Sequence, residues 1–357
     1  MSKALIAMSG GVDSSLAAKL TKDAGFECIG CTMKLYDNED IGINRLHTCC
    51  SLDDIEDARS VAFKLGIPYY VFNFKDGFRE TVINKFIKAY EAGKTPNPCI
   101  DCNRYMKFDK LYQRAQILGC EYVVTGHYAR IEFDGKEYLL KKAIDETKDQ
   151  SYVLYAMNQE QLKHTLFPLG CLRKTEVRAI ADTNGFINAS KPDSQDICFV
   201  PDGNYPSFMQ KQTGRKYPKG NFVDKAGKIL GEHKGIIYYT IGQRKGLGIA
   251  LGKPMYVAAI RSCDNTVVLG EDCELYSSSL IANDFNWISG TAPATPISCK
   301  AKIRYRQKEL PAKASLLADG RVKIEFIAPQ RAITPGQAVV LYDDDIVLGG
   351  GTIETVL

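Results

Sequence analysis

Apolar residues recur along this chain in two rhythms, and the change from one to the other falls near Pro206. Upstream, short apolar runs alternate with segments of helical spacing. Lys3 to Met8 predicts a strand, Ser14 to Ala24 a helix and Cys28 to Leu35 a second strand. Asp53 to Leu65 carries Ile55, Ala58, Ala62 and Leu65 at helical spacing, stops at Gly66 ahead of Pro68, and leads into a strand at Tyr69 to Asn73. A helix from Phe78 to Ala92 gathers Val82, Phe86 and Tyr90 on one face and ends at Gly93; another, Phe108 to Leu118, precedes a strand at Tyr122 to Thr125. Strands alternating with helices of this length predict an α/β fold with a doubly wound parallel sheet, whose ligand sits beyond the carboxyl ends of the strands.

Downstream of Pro206 the helical period disappears. Short alternating segments take over, among them Pro254 to Arg261, Thr266 to Leu269, Ile297 to Tyr305, Arg321 to Phe326 and Ala338 to Tyr342. They predict small β-barrels or sandwiches. The expected division is residues 1–205, 206–279 and 280–357.

Composition changes this picture little. The 357 residues have room for two or three domains, and the net charge of +4 permits a nucleic-acid partner without requiring one. No stretch approaches the roughly 20 apolar residues of a membrane span, and the N-terminal apolar run is too short for a secretory segment, so a cytoplasmic protein is expected. In that compartment the twelve cysteines are expected as thiols or catalytic sulfur.

The first predicted strand runs into Ser9-Gly10-Gly11-Val12-Asp13-Ser14-Ser15. Two glycines let the backbone approach phosphate oxygens, and a helix opening at Ser14 and Ser15 offers N–H groups and the positive end of its dipole. A triphosphatase loop would add a lysine for the β- and γ-phosphates, yet none follows Gly11. A loop that holds pyrophosphate as a unit suits attack at the α-phosphorus of ATP.

Cysteine positions separate by setting. Cys28 and Cys31 fall in a predicted strand, where an offset of three turns them to opposite faces and into the core. Cys49 and Cys50 stand side by side, a poor chelate, and no second cysteine pair completes a zinc site, so no structural metal is expected. Cys99 and Cys102 lie in Thr95 to Asn103, where Pro96 and Pro98 predict a rigid loop, with Arg104 and Lys107 near enough in sequence to lower a thiol pKa. Cys198 sits in Ser194 to Val200, a polar stretch entering an apolar one. Two readings are open for His127, a buried hydrogen-bonded ring or a ligand contact. Lys300, Lys302, Arg304, Arg306 and Lys308 alternate with Ala301, Ile303 and Tyr305, which predicts a strand with one basic face, either solvated or set against an anion.

Together these segments resemble the tRNA-specific 2-thiouridylases over the whole length. The likeness rests on Ser9 to Ser15, Thr95 to Asn103, Thr125 to Arg130, Lys148 to Tyr152, Ser194 to Val200 and Tyr239 to Gly248, in that order. It implies a PP-loop domain of the adenine-nucleotide alpha-hydrolase type, a small central β-rich domain that binds tRNA and a C-terminal β-barrel. It implies ATP and Mg²⁺ as cofactors, with ATP contacts from Ala7, Met8, Ser9, Gly10, Gly11, Val12, Asp13 and Ser14, from Met33 and from Gly126. Asp13 is expected among the catalytic residues, with Cys198 as the persulfide carrier and Cys102 as its partner thiol. Asn97, Pro98, Cys99, His127, Lys148, Asp149, Gln150, Arg304, Tyr305, Arg306 and Gln337 are the implied tRNA contacts. The expected reaction is 2-thiolation of the wobble uridine by a monomer supplied by a sulfur-relay protein or cysteine desulfurase. A [4Fe–4S] cluster on Cys99, Cys102 and Cys198 is the less favoured sulfur carrier. An amide-forming ATP pyrophosphatase and a non-catalytic adenine-nucleotide sensor are the competing classes.

Overall fold

The computed structural model describes residues 1–37, 52–192, 197–200 and 202–357. Four strands of the first half are β1 (Lys3–Ala7), β2 (Glu27–Lys34), β3 (Tyr69–Asn73) and β4 (Tyr122–Val124). A hairpin of β5 (Ala129–Phe133) and β6 (Tyr138–Lys142) follows, then the short β7 (Thr165–Leu166). Strands β3-β2-β1-β4-β7 form one parallel sheet, as the alternating pattern predicts. Its order reverses between β1 and β4, and a crevice opens at such a switch point. Cys28 and Cys31 pack in different core clusters, on the two faces of β2 that their offset requires.

Helix Val12–Asp23 follows β1, and Leu52–Lys64 precedes β3. Two longer helices, over 75–91 and 98–117, each contain a π-helical stretch, Arg79–Ile83 and Cys102–Lys110. The second of these corrects the predicted loop. Pro98 occupies the first helical turn and Asn97 caps it, its side-chain oxygen accepting from the Cys99 N–H at 3.1 Å. Proline is at home there because its fixed φ suits the helix and the absent N–H would have had no intrahelical partner. Cys99 and Cys102 are therefore helical.

A helix at Tyr205–Thr213 leads into β8 (Gly220–Val223), β9 (Ile229–His233), β10 (Tyr256–Arg261) and β11 (Thr266–Gly270), which form a sheet in the order β10-β11-β8-β9. Six strands complete the chain: β12 (Tyr276–Trp287), β13 (Ile297–Lys302), β14 (Leu310–Leu316), β15 (Val322–Arg331), β16 (Ala338–Asp343) and β17 (Ile346–Val356). They run β12-β15-β14-β13-β16-β17, and β12 pairs again with β17 to close an antiparallel barrel. Strand β12 begins at Tyr276, so a cut after residue 279 would fall inside it.

The basic strand is shorter than its alternation predicts. Strand β13 ends at Lys302, and residues 303–307 bend away. Lys300 pairs with Asp344 at 3.0 Å, while Lys302 lies over the rings of Tyr152 and Tyr305 at 5.7 and 5.8 Å. Arg304 donates to the carbonyl of Ala332 at 2.6 Å and to Thr334 Oγ1 at 3.3 Å. The regular alternation thus ends with the strand at Lys302.

The β5–β6 hairpin leaves the nucleotide half and joins the barrel sheet, with Lys141 paired to Ile346 of β17. Arg130 and Lys141 hold Asp345 at 2.6 and 3.2 Å, and Lys142 is ion-paired with Glu309.

Candidate active site

The glycine loop lies at the switch point. Gly10 has a φ of +76°, and a Cβ there would stand 2.4 Å from the Asp54 carbonyl oxygen. Only glycine fits this close approach in the left-handed region. Gly11 caps helix Val12–Asp23; Ser14 Oγ receives the Ser9 N–H at 3.1 Å and donates to the Gly11 carbonyl at 3.0 Å. Ala7 ends β1, and Met8 is buried with its N–H on Cys31 and its carbonyl accepting from Thr32 Oγ1. Gly126, just beyond β4, presses against the loop from the other side: a Cβ there would come 2.8 Å from both Asp13 C and Ser14 N.

Three residues outside the predicted set complete the loop. Asp13 is gripped by Lys174, whose Nζ lies 2.7 Å from both carboxylate oxygens, and it accepts from the Tyr128 hydroxyl at 2.7 Å. Asn188 donates to the Gly10 carbonyl and to Ser15 Oγ, each at 2.9 Å. Lys174 opens helix Lys174–Thr183. A cation in a helix's first turn opposes the dipole, and that oddity in Leu172 to Arg178 is the signal the sequence offered. Asn188 carries no comparable mark.

The thiol helix meets His127, which lies between Gly126 and Tyr128, two residues that contact Asp13 of the nucleotide loop. The histidine ring is buried, with Nδ1 2.7 Å from Thr125 Oγ1 and Nε2 3.3 Å from Lys107 Nζ. Burial, helped by Lys107, holds its pKa well below the usual imidazole range, so it is neutral at physiological pH. Lys107 in turn acts on Cys102. Its charge draws the thiol pKa down, but burial acts in the opposite sense and prevails, leaving Cys102 at about 11. The activated thiol expected from the neighbouring basic residues is thus corrected to a protonated one. Arg104 is engaged elsewhere, paired bidentately with Asp284 of β12.

Cys102 and Cys198 lean on one aromatic-rich core cluster, and so does Met33 from the end of β2. Phe199 is the anchor beside Cys198, 1 % exposed and ringed by Phe78, Phe86 and Phe208 at 5.2–5.7 Å between centroids. Tyr36 donates its hydroxyl to the Cys198 carbonyl at 2.8 Å. Residues 194–196 of the Cys198 motif, and the Cys49–Cys50 pair, lie outside the described residues. Among the described residues no group of three His, Cys, Asp or Glu side chains is placed to hold a metal ion. Asp13, beside the phosphate loop, has the carboxylate character Mg²⁺ requires, with substrate phosphates supplying further ligands.

The residues expected to touch tRNA converge from four segments. Cys99 is exposed at the helix start near Tyr305, whose phenol pKa is raised by burial first, then by Asp149 and by Cys99. Asp149 also receives the Ser151 N–H and hydroxyl, and Gln150 Oε1 receives the Tyr128 N–H, fixing the Lys148–Gln150 turn. Gln337 donates to the Thr95 carbonyl at 2.8 Å, joining the barrel to the segment before Asn97 and Pro98. Tyr305 is 37 % exposed and Arg306 is exposed beside it. The result is a rim around Cys99 with two tyrosines, Tyr152 and Tyr305, at 6.0 Å beneath Lys302.

A glycine-rich anion loop at the switch point of a parallel sheet, without a triphosphatase lysine in the loop, defines a PP-loop nucleotide-binding domain. Three family models match the chain: "tRNA methyl transferase HUP domain" over residues 2–202, "tRNA methyl transferase PRC-barrel domain" over 206–271 and "Aminomethyltransferase beta-barrel domain" over 277–353. The chain belongs to the tRNA-specific 2-thiouridylase family. It is 54 % identical over 355 residues to the protein named tRNA-specific 2-thiouridylase MnmA in Acetivibrio thermocellus, covering 99 % of each chain. The protein of the same name in Clostridioides difficile is 52 % identical, over 99 % of this chain and 98 % of that one. A solved 4-thiouridine synthetase–RNA complex with bound ATP matches 59 % of this chain and 50 % of its own, at 18 % identity and a TM-score of 0.39.

Proposed function

We propose that the protein is an ATP-dependent sulfurtransferase that converts the wobble uridine of tRNA to 2-thiouridine. One observation carries this beyond nucleotide binding: Lys107 of the Cys102 helix meets His127, whose chain neighbours Gly126 and Tyr128 touch Asp13 of the phosphate loop, and Cys102 and Cys198 rest on the same core cluster. An amide-forming pyrophosphatase or a nucleotide sensor has no use for two cysteines so placed, and the relatives' names favour thiolation.

In this reading uridine O2 attacks the α-phosphorus, the bond to the bridging oxygen breaks, and pyrophosphate leaves into the cradle of Ser9 to Ser15. Mg²⁺, held by Asp13 and the phosphates, would supply charge neutralisation. The terminal sulfur of a Cys198 persulfide then attacks C2 and AMP departs. The Cys102 thiolate attacks Cys198 Sγ, the S–S bond breaks, and its electron pair stays on the transferred sulfur as the thiocarbonyl forms. A Cys102–Cys198 disulfide remains, which cellular thiols reduce. With a thiol pKa of about 11, Cys102 needs a proton acceptor or a change of surroundings at this step; neutral His127 is hydrogen-bonded to Lys107, the lysine whose charge acts on this thiol. The rim of Asn97, Pro98, Cys99, Lys148, Asp149, Gln150, Arg304, Tyr305, Arg306 and Gln337, with His127 behind it, receives the tRNA. A sulfur-relay protein or cysteine desulfurase charges Cys198, and a cytoplasmic monomer suits a substrate clamped by one chain.

The test is mass-spectrometric detection of 2-thiouridine after incubation of the protein with ATP, Mg²⁺, a persulfide donor and unmodified tRNA. Cys198→Ala should release pyrophosphate in a tRNA-dependent way yet form no thionucleoside. Thiolation by Cys198→Ala, or none by the parent protein, would sink the reading.

A further inference from the structure

The proposed cycle ends on a Cys102–Cys198 disulfide, which must open before Cys198 can be charged again. Both cysteines are partly covered and lean on the aromatic-rich core cluster, so a thiol arriving from solvent meets protein on one side of the bond. Chemistry restricts the route further. A thiol of pKa about 11 is a poor leaving group, which slows any attack on Cys198 that would have to expel Cys102. Attack on Cys102 Sγ avoids this and releases Cys198, the thiol that the next turnover needs.

The structure holds a nucleophile for that attack. Cys99 precedes Cys102 in one continuous helix: Pro98–Asp101 is α-helical, and Cys102 continues it with a φ of −61° and a ψ of −45°. Residues i and i+3 of an α-helix share a face, with Cα atoms about 5 Å apart, inside the roughly 4.4–6.8 Å that a disulfide spans. Cys99 also adds to the rise in the Cys102 pKa, as a close neighbour would. Asn97 fixes this turn by accepting the Cys99 N–H at 3.1 Å, and Pro98 stiffens it. Where Cys102 leans on the core, Cys99 is exposed on the rim near Tyr305. The helix thus carries one thiol inward and one outward.

We infer that Cys99 is a further catalytic residue, the resolving thiol: it attacks Cys102 of the Cys102–Cys198 disulfide, releases Cys198 and brings the disulfide to the surface as Cys99–Cys102. The inference rests on the proposed thiolation chemistry. The Cys99 thiolate, its proton lost to solvent, forms the new S–S bond. The Cys102–Cys198 bond breaks, and its electron pair leaves with Cys198 as a thiolate. This exchange neither oxidises nor reduces the protein, and cellular thiols then supply the two electrons that open Cys99–Cys102. Because Cys99 lies in the rim proposed to receive tRNA, that last step waits for the product to leave.

The test is a single turnover of the intact protein, charged with persulfide on Cys198 and given ATP, Mg²⁺ and unmodified tRNA without reductant. Acid quenching, alkylation with N-ethylmaleimide and peptide mapping by mass spectrometry then follow each linkage in time. Cys102–Cys198 should appear first and give way to Cys99–Cys102, with Cys198 alkylated. In Cys99→Ser oxidised with diamide, glutathione should open Cys102–Cys198 about tenfold more slowly than it opens the final disulfide of the parent. Persistence of Cys102–Cys198 in the parent, or equal reduction rates in parent and variant, would overturn the inference and leave thiolation standing. Absence of 2-thiouridine from the parent would instead remove the proposed function on which it rests.

Discussion

The resting state of Cys102 is open to direct measurement. Burial raises its pKa from 9.0 to about 11 against the pull of Lys107. At pH 8 such a thiol is ionised to about one part in a thousand, whereas one at 9.0 is ionised to about one part in ten, a difference of roughly 100-fold. Thiolate nucleophilicity rises with basicity at a Brønsted slope of about 0.4–0.5, which returns roughly tenfold. Alkylation of Cys102 by iodoacetamide at pH 8 should thus run about tenfold slower than alkylation of a short cysteine peptide. Its rate should climb about tenfold per pH unit until near pH 11. Peptide mapping by mass spectrometry follows Cys102 separately from the other cysteines. Lys107→Met should slow the reaction further, since it removes the one cation that favours the thiolate. A rate that levels off below pH 9.5, or one insensitive to Lys107, would refute the argument that burial dominates this thiol.

Other expectations concern the loop, the interdomain contact and alkaline stability. Gly126→Ala places a methyl against backbone atoms of Asp13 and Ser14 that cannot rotate away, so ATP affinity measured by titration should fall at least tenfold while the fold persists. Tyr36→Phe keeps the ring and removes the hydroxyl that donates to the Cys198 carbonyl; tRNA-dependent pyrophosphate release should be unchanged while 2-thiouridine formation slows several-fold. Burial also holds the buried Cys28 thiol at about 11. Both Cys28 and Cys102 stay protonated in the folded chain while the unfolded chain loses those protons from about pH 9 upward. The stability they preserve is complete below pH 8 and falls by up to about 1.4 kcal/mol per pH unit for each thiol between 9 and 11. Melts followed by circular dichroism should show Tm dropping across that window, and Cys28→Ala should flatten the drop.

The parallel sheet was legible because each strand and helix carries its own period, and the phosphate loop because its glycines and serines are contiguous. Thr95 to Asn103 misled for a local reason. Two prolines in three residues suggest a loop, but Pro98 falls at the one helical position that accepts it, and Asn97 supplies the cap. The basic alternation from Lys300 to Lys308 continued past the strand because side-chain spacing does not register where the backbone turns; Arg304 bends back to the Ala332 carbonyl instead. His127 is buried and hydrogen-bonded, and its place between Lys107 and Thr125 depends on a helix and a strand end that no local pattern connects. Lys174 and Asn188 were hidden by distance alone. Each reaches the phosphate loop across more than 150 residues, as its separation of 161 from Asp13 or 173 from Ser15 makes plain.

The hairpin that crosses from the nucleotide half into the barrel sheet has a mechanical consequence. A two-stranded hairpin has little stability by itself, so β5 and β6 owe their order to β17 and to the Asp345 and Glu309 ion pairs. The chain leaving β6 reaches the Lys148–Gln150 turn six residues later. Cutting away the barrel would therefore slacken one lip of the cleft as well as remove the other. Nucleotide domain and barrel are joined through this hairpin like opposite jaws forged from one piece, and under the proposed mechanism that frame would set the distance between activated base and thiol.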